Sequence, residues 1–185
     1  VRLHKFCTPS RIGQPLNSLS DDLGPSKVMR RTSNLIELSE AYRRDGFNPD
    51  QIVFTGQSAG GFASLLAQSI SPKSIGRVIA FGPAFANKRA ARGSGEERAN
   101  VILKARIANA KNMNALVFSY DKDVYERPKD LTGWSNNTGI DIFAVEGDSI
   151  AGVSCSITYA HHYVFNKCFE LSQRDRILKF IATGN

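Results

Sequence analysis

The chain has 185 residues, of which 42% are hydrophobic and 22% charged, and its formal net charge is +7. This composition is typical of a globular domain with one substantial core, and it excludes a coiled coil, a collagen-like chain and an intrinsically disordered chain. No run of residues approaches the roughly 18 consecutive apolar residues that a membrane-spanning helix requires. The sequence therefore predicts a single soluble domain over residues 1–185 with no membrane partner, and it leaves the localisation and the oligomeric state open.

The basic residues are spread along the chain. They include the pairs Arg30-Arg31 and Arg43-Arg44, and no aromatic residues alternate with them at the repeated spacing that is typical of a nucleic-acid-binding module. The sequence also lacks a zinc-spaced cysteine and histidine cluster, a phosphate-binding loop and a dinucleotide-binding glycine pattern. We therefore expect no nucleic-acid partner, no metal and no cofactor.

In the first part of the chain, strand and helix patterns alternate. Val1 to Phe6 is typical of a strand, and a polar connection rich in proline, glycine and serine follows it. Apolar residues at helical spacing then predict a helix that is capped by Ser26 and ends at Gly46. Ile52 to Phe54 is an apolar run typical of a buried strand, and the next residues predict a helix to about Ile70. The order to this point is strand, helix, strand, helix.

The second part of the chain continues this alternation. Arg77 to Phe81 is typical of a strand, and Ser94 opens a helix with a capping-box pattern. Two further apolar runs predict strands from Ala115 to Tyr120 and from Ile140 to Val145, and the last pattern predicts a helix over Val164 to Ile181. The whole pattern predicts an α/β fold with a mostly parallel, doubly wound sheet and helices on both faces.

Ser58 stands in the segment Gly56-Gln57-Ser58-Ala59-Gly60-Gly61, between a predicted strand and a predicted helix. A serine at such a junction is held on a sharp turn, which closes when glycines stand two residues before and two residues after it, here Gly56 and Gly60. The backbone N–H of Ala59, at the start of the helix, can stabilise negative charge on a substrate oxygen. The segment predicts a nucleophile elbow, with Ser58 as nucleophile and Ala59 in the oxyanion hole.

A serine nucleophile needs a base, and the base needs a third group that orients it. In a parallel sheet both groups are expected in loops after later strands, because those loops meet at one edge. Asp121 and Asp123 follow the predicted strand from Ala115 to Tyr120. We favour Asp123 as the acid because its spacing suits a loop that turns back toward Ser58, and we keep Asp121 as the alternative, followed by Glu126.

The adjacent histidines His161 and His162 follow the next predicted strand. We favour His161 as the base because it falls at the end of the loop, and we keep His162 as the alternative. An imidazole base predicts activity that rises with pH through the region of an ordinary imidazole pKa, about 6.5. Cys155 and Cys168 flank the two histidines, so a disulfide between them would brace this loop; two separate buried thiols are the alternative.

Taken together, these residues resemble the α/β-hydrolase superfamily. The resemblance is carried by the elbow from Gly56 to Gly61, by Asp123 after one strand and by His161 after the next. The Ser-Ala-Gly-Gly form of the elbow is similar to that of carboxylesterases, dienelactone-hydrolase-like proteins and feruloyl or acetyl esterases. The resemblance implies that Ser58 attacks the carbonyl of a small-molecule carboxylic ester, with proton transfer through His161, and that the reaction passes through an acyl-enzyme.

The superfamily usually has more strands ahead of the elbow strand than the one predicted here. We expect either a chain that lacks the opening strands and corresponds to roughly the C-terminal two-thirds of the fold, or a minimal hydrolase. In a minimal hydrolase, the loop from Cys7 to Ser10 supplies the second oxyanion-hole donor. Two other functions fit the same residues: a serine peptidase resembling prolyl oligopeptidase, and a non-catalytic binding protein on a hydrolase scaffold.

Overall fold

The computed structural model describes residues 25–85, 94–146, 149, 150, 153–155 and 159–184. The strand predicted from Val1 to Phe6 and the loop from Cys7 to Ser10 lie outside these ranges. Within the ranges, strands and helices alternate along the chain, as the sequence predicts.

Four parallel strands form one sheet in the described part of the chain. They are β1 (Val53–Gln57), β2 (Arg77–Phe81), β3 (Ala115–Tyr120) and β4 (Ile140–Val145). The strands pair in chain order, and one row across the sheet runs from Thr55 through Ile79 and Leu116 to Asp141. The bounds of β2, β3 and β4 are those predicted. Because all four strands run the same way, their carboxyl ends share one edge of the sheet.

Helices pack against both faces of this sheet. The described α-helices are α1 (Pro25–Arg44), α2 (Ala59–Ile70), α3 (Gly95–Ala108) and α4 (Lys167–Thr183). Short 3₁₀ helices occupy Pro49–Gln51, Pro128–Trp134 and Ala160–Phe165. Among the described residues, no helix combines the length and the apolar character that a membrane crossing requires.

Each face of the sheet has its own hydrophobic core, because successive side chains of a strand point to opposite faces. On one face, Phe54, Val78 and Val117 pack with apolar residues of α1, α2 and α3. On the other face, Phe118 and Tyr120 pack with apolar residues of α4. The predicted α/β class, with a mostly parallel sheet between layers of helices, is confirmed.

The two ends of α1 are set by a proline and a glycine, whose backbones have conformational preferences that other residues lack. The helix begins at Pro25, one residue earlier than the predicted cap Ser26, and proline is favoured there because the first helical N–H groups have no acceptor within the helix. The helix ends at Arg44, and Gly46 follows with a φ of 92°, a conformation that side chains disfavour. Gly46 is therefore the predicted stop.

The starts of α3 and α4 depend on capping side chains. Ser94 Oγ accepts a hydrogen bond from the backbone N–H of Glu97 at 3.1 Å, as the sequence predicts. The last helix begins at Lys167 rather than Val164, because Asn166 Oδ1 accepts a hydrogen bond from the next turn and the preceding residues form a 3₁₀ helix. This 3₁₀ helix carries the two histidines, so they lie outside α4.

Candidate active site

Ser58 occupies the turn that joins β1 to α2. Its φ of 57° and ψ of −129° are unusual for a residue with a side chain, and such strain is commonly stored at functional sites. The turn is held in place from β2: the N–H of Ser58 donates to the carbonyl of Phe81 at 3.0 Å, and the carbonyl of Ser58 accepts from the N–H of Ala84 at 3.2 Å. Ser58 is therefore fixed at the carboxyl edge of the sheet, as the sequence predicts for an elbow.

Two glycines allow this turn to close: Gly56, as predicted, and Gly61 in place of the predicted Gly60. A Cβ atom on Gly56 would lie 2.5 Å from the backbone carbon of Gly60, and one on Gly61 would lie 2.7 Å from the carbonyl oxygen of Gly56. At Gly60 a Cβ atom would meet no described atom within 4 Å. The prediction that Gly60 is required for steric reasons is wrong, because α2 turns so that Gly61 faces the strand.

Asp123 and His161 form a buried hydrogen-bonded pair. His161 Nδ1 lies 2.8 Å from Asp123 Oδ2, and the relative exposure of the two residues is 4% and 0%. The other carboxylate oxygen, Oδ1, accepts a hydrogen bond from the backbone N–H of Tyr125 at 2.8 Å. Both oxygens are thus engaged, and a carboxylate held this way fixes the orientation of the imidazole.

The second imidazole nitrogen of His161 has a different environment. Nε2 is buried and has no hydrogen-bond partner among the described residues. Buried polar atoms are nearly always satisfied, so the lack of a partner sets this nitrogen apart from Nδ1. With Nδ1 bonded to Asp123, Nε2 is the nitrogen available to accept a proton.

The alternative candidates lie elsewhere. Asp121 and His162 are exposed, and the His162 ring packs against Tyr159 and Phe165 at centroid distances of 4.6 and 5.8 Å. Glu126 is buried, but its Oε2 binds Lys104 Nζ at 2.6 Å, which ties the loop after β3 to α3. Of the predicted acids and bases, Asp123 and His161 are therefore the two that the structure brings together.

Gly82 brings the Ser58 turn and the Asp123–His161 pair close to each other. It follows Phe81 directly, and a Cβ atom on it would lie 3.0 Å from Asp123 Oδ2 and 3.5 Å from His161 Cε1. The carbonyl of Phe81 accepts a hydrogen bond from the N–H of Ser58. The carboxyl end of β2 therefore contacts the segments that carry Ser58, Asp123 and His161. Gly82 was not among the predicted site residues; the one available signal was a glycine immediately after a buried strand.

Gln57 is a second residue that sequence reasoning missed. Its side-chain Nε2 donates a hydrogen bond to the carbonyl oxygen of His161 at 3.0 Å, across a sequence separation of 104 residues. Its position directly before Ser58 was the one available signal. The hydrogen bond connects β1 with the 3₁₀ helix that carries the histidine.

Two tyrosines surround the pair. The Tyr125 ring lies against the His161 ring, with a centroid distance of 4.5 Å. The hydroxyl of Tyr163 donates a hydrogen bond to the carbonyl of Phe118, in β3, at 2.7 Å. Burial raises the pKa of Tyr163, and the charge of Asp123 raises it further, so this hydroxyl stays protonated at neutral pH.

The chain segment that carries His161 is closed by a disulfide. Cys155 and Cys168 are bonded, with a sequence separation of 13 and a Cα separation of 6.1 Å. The bridge joins the segment after β6 (Val153–Ser154), which pairs with β5 (Ser149–Ile150), to the first turn of α4. Of the two predicted alternatives, the disulfide is the one found.

The opposite edge of the sheet has a separate groove of about 650 Å³. It is lined by residues 108–114 and 136–139, which precede β3 and β4, so the length of the strands separates it from Ser58. In the part of the chain that the structure describes, no group of three or more histidine, cysteine, aspartate or glutamate residues is arranged to hold a metal ion.

In the comparisons with known proteins, no family model matches the chain, and no curated protein matches its sequence. Any functional conclusion therefore depends on the geometry at the carboxyl edge of the sheet.

Proposed function

We propose that this protein is a serine hydrolase of the α/β-hydrolase type that cleaves carboxylic esters. The observation that carries the proposal is the buried Asp123–His161 hydrogen bond of 2.8 Å, with Nε2 of the histidine left without a hydrogen-bond partner among the described residues. Its location supports the same conclusion, because Ser58 stands on a strained turn at the same sheet edge.

In the first half of the proposed reaction, Ser58 Oγ attacks the ester carbonyl while His161 Nε2 accepts the hydroxyl proton. Asp123 stabilises the imidazolium through Nδ1. The carbonyl oxygen gains negative charge, and the N–H of Ala59 at the start of α2 is the donor we assign to it. The alcohol then leaves with the proton from Nε2, and the acyl group remains on Ser58.

In the second half, one water molecule replaces the alcohol. His161 Nε2 accepts a proton from the water, the hydroxide attacks the acyl carbon, and the proton returns to Ser58 Oγ as the carboxylic acid leaves. One ester and one water yield one acid and one alcohol, so the proposed cycle regenerates the enzyme without a further reactant.

The test is covalent labelling with a fluorophosphonate followed by peptide mass spectrometry. We expect an adduct on Ser58 that is lost in Ser58→Ala and retained in Ser69→Ala, a control on the same helix whose hydroxyl bonds to the carbonyl of Leu66. Folded wild-type protein without an adduct on Ser58 would overturn the proposal.

A second measurement separates an esterase from a peptidase. 4-Nitrophenyl acetate and 4-nitroacetanilide carry the same acyl group on an oxygen and on a nitrogen. We expect hydrolysis of the ester and little cleavage of the anilide, both abolished by Ser58→Ala. Faster cleavage of the anilide would contradict the assignment to ester hydrolysis while leaving a serine hydrolase.

A further inference from the structure

The side chain of Gln57 connects the candidate nucleophile with the candidate base. Gln57 is the last residue of β1 and shares a peptide bond with Ser58. Its Nε2 donates to the carbonyl of His161 at 3.0 Å. One side chain thus spans the gap between the turn that carries Ser58 and the 3₁₀ helix that carries His161.

His161 needs such a second anchor because the contacts with Asp123 and Tyr125 act on its ring. Asp123 bonds to Nδ1 and the Tyr125 ring lies against the imidazole, so both orient the ring relative to the His161 backbone. The backbone of His161 lies outside the sheet, in the 3₁₀ helix Ala160–Phe165. A hydrogen bond to the His161 carbonyl fixes this backbone, and together the two anchors determine where Nε2 points.

We propose that Gln57 is a positioning residue, which sets His161 Nε2 relative to Ser58 for proton transfer. The inference rests on the proposed function. Because the amide bonds to protein backbone, its loss is expected to lower kcat and to leave KM nearly unchanged. Because a carboxamide does not titrate, its loss is also expected to leave the midpoint of the pH–rate profile in place.

The main variant is Gln57→Met, which keeps the length of the side chain and removes the donor. We expect kcat to fall roughly 10- to 100-fold, since small misplacements of reacting groups have effects of that size. We expect KM to stay within about twofold, and the pH midpoint to be unchanged. A KM that rises while kcat holds would overturn the proposal, because it would indicate a contact with substrate.

Two other glutamines supply matched controls. Gln68 is buried and its Nε2 donates to three carbonyls near the amino ends of the strands, those of Ile75, Gly76 and Asn114. Gln68→Met is expected to lower the Tm and to leave kcat per folded molecule unchanged. Gln51 is exposed and its Oε1 accepts a hydrogen bond from the N–H of Asn48, ahead of β1, so Gln51→Met serves as the control for loss of a hydrogen bond away from the site. A loss of kcat in Gln68→Met equal to that in Gln57→Met would reduce Gln57 to a structural role.

Gln57→Glu tests the geometry from another direction. It has the same shape, but an ionised carboxylate cannot donate to the His161 carbonyl and it stabilises a nearby imidazolium. We expect kcat to fall and the midpoint of the pH–rate profile to move upward. An unchanged midpoint in this variant would show that residue 57 does not lie near the base, and would overturn the proposal.

The inference and the proposed function fail in distinguishable ways. If wild-type protein is labelled on Ser58 and Gln57→Met reacts equally fast, the positioning role is overturned and the hydrolase stands. If wild-type protein is not labelled, the hydrolase falls, and proton NMR of the His161 Nδ1–H decides the positioning role. We expect that signal to broaden in Gln57→Met and to persist in Gln51→Met; a signal equal in both would overturn the inference.

Discussion

A Cβ atom on Gly82 would lie 3.0 Å from Asp123 Oδ2, the oxygen that is hydrogen-bonded to His161. Gly82 has a φ of 50°, in the left-handed region that favours glycine. The missing side chain at this position therefore lets the end of β2 approach the Asp123–His161 pair without displacing it.

Gly82→Ala is expected to impair both stability and activity. The left-handed backbone conformation costs a residue with a side chain about 1–2 kcal/mol. The new methyl group also pushes against Asp123, and we expect a roughly 10- to 100-fold loss of ester hydrolysis per folded molecule from the displaced pair. Urea unfolding measures the stability, and the rate of fluorophosphonate labelling measures the site.

Gly46→Ala is the matched control for backbone strain. Gly46 has a φ of 92°, and a Cβ atom there would meet no described atom within 4 Å. We expect it to lose a similar free energy of unfolding and to keep the wild-type labelling rate. Equal loss of labelling in both variants would show that strain alone, and not contact with Asp123, explains the effect.

Paired substitutions decide between the predicted acids and between the predicted bases. Asp123→Asn is expected to lower kcat by about 10³- to 10⁴-fold, because an amide favours the wrong imidazole tautomer. Asp121→Asn, at an exposed position, is expected to change kcat less than about twofold. The same contrast is expected between His161→Gln and His162→Gln. Steady-state hydrolysis of 4-nitrophenyl acetate measures all four, and a larger loss in Asp121→Asn or His162→Gln would reverse the assignment.

The sheet could be predicted from the sequence because its strands are continuous apolar runs between polar turns. β3, for example, is buried at every position, which is typical of a strand covered on both faces. The parallel order then predicts that residues after β3 and β4 meet at one edge, and the hydrogen bond that His161 donates to Asp123 lies there. These predictions need only the local pattern and the rule that parallel strands end together.

Other parts of the site could not be predicted, because they depend on the paths of segments far apart in the chain. The bond from Gln57 to His161 spans 104 residues, and nothing in the local pattern specifies the facing carbonyl. The steric demand at the elbow falls on Gly61 because of the direction in which α2 leaves the turn. Such contacts are set by packing in three dimensions, and sequence spacing does not encode them.

Removal of the disulfide is expected to lower both stability and activity. Because Cys155 and Cys168 have a sequence separation of 13, the bridge is expected to contribute about 3 kcal/mol by restricting the unfolded chain. The double variant Cys155→Ser/Cys168→Ser frees the segment that carries His161, so we expect slower labelling of Ser58 as well. Urea unfolding and labelling rates, each measured with and without reductant, check this.

The controls for the disulfide come from the wild-type protein itself. The chain has three cysteines, and two of them form the bridge between Cys155 and Cys168. We therefore expect one reactive thiol per molecule when the protein is unfolded without reductant. Reductant is expected to destabilise the wild type and to leave the double variant unaffected. Identical unfolding curves for the wild type with and without reductant would show that the bridge does not contribute to stability.

The buried phenol of Tyr163 predicts how stability changes at high pH. Burial, and then the charge of Asp123, raises its pKa in the folded protein, while a backbone hydrogen bond from Gly82 opposes the shift. In the unfolded chain the pKa is about 10. Above that pH the unfolded state binds fewer protons than the folded state, so the free energy of unfolding falls as the pH rises. The contribution is fully present below pH 10 or so and is lost above it.

Tyr163→Phe is therefore expected to change the pH dependence of stability as well as its size. Near neutral pH the variant loses the hydrogen bond to the carbonyl of Phe118, which costs about 0.5–1.5 kcal/mol. Above about pH 10 the wild type additionally loses up to about 1.4 kcal/mol per pH unit that the variant retains. The difference in free energy of unfolding between the wild type and Tyr163→Phe should therefore shrink as the pH rises and then change sign. Urea unfolding of both proteins from about pH 8 to about pH 11 tests this, and curves that stay parallel would contradict a protonated, buried Tyr163.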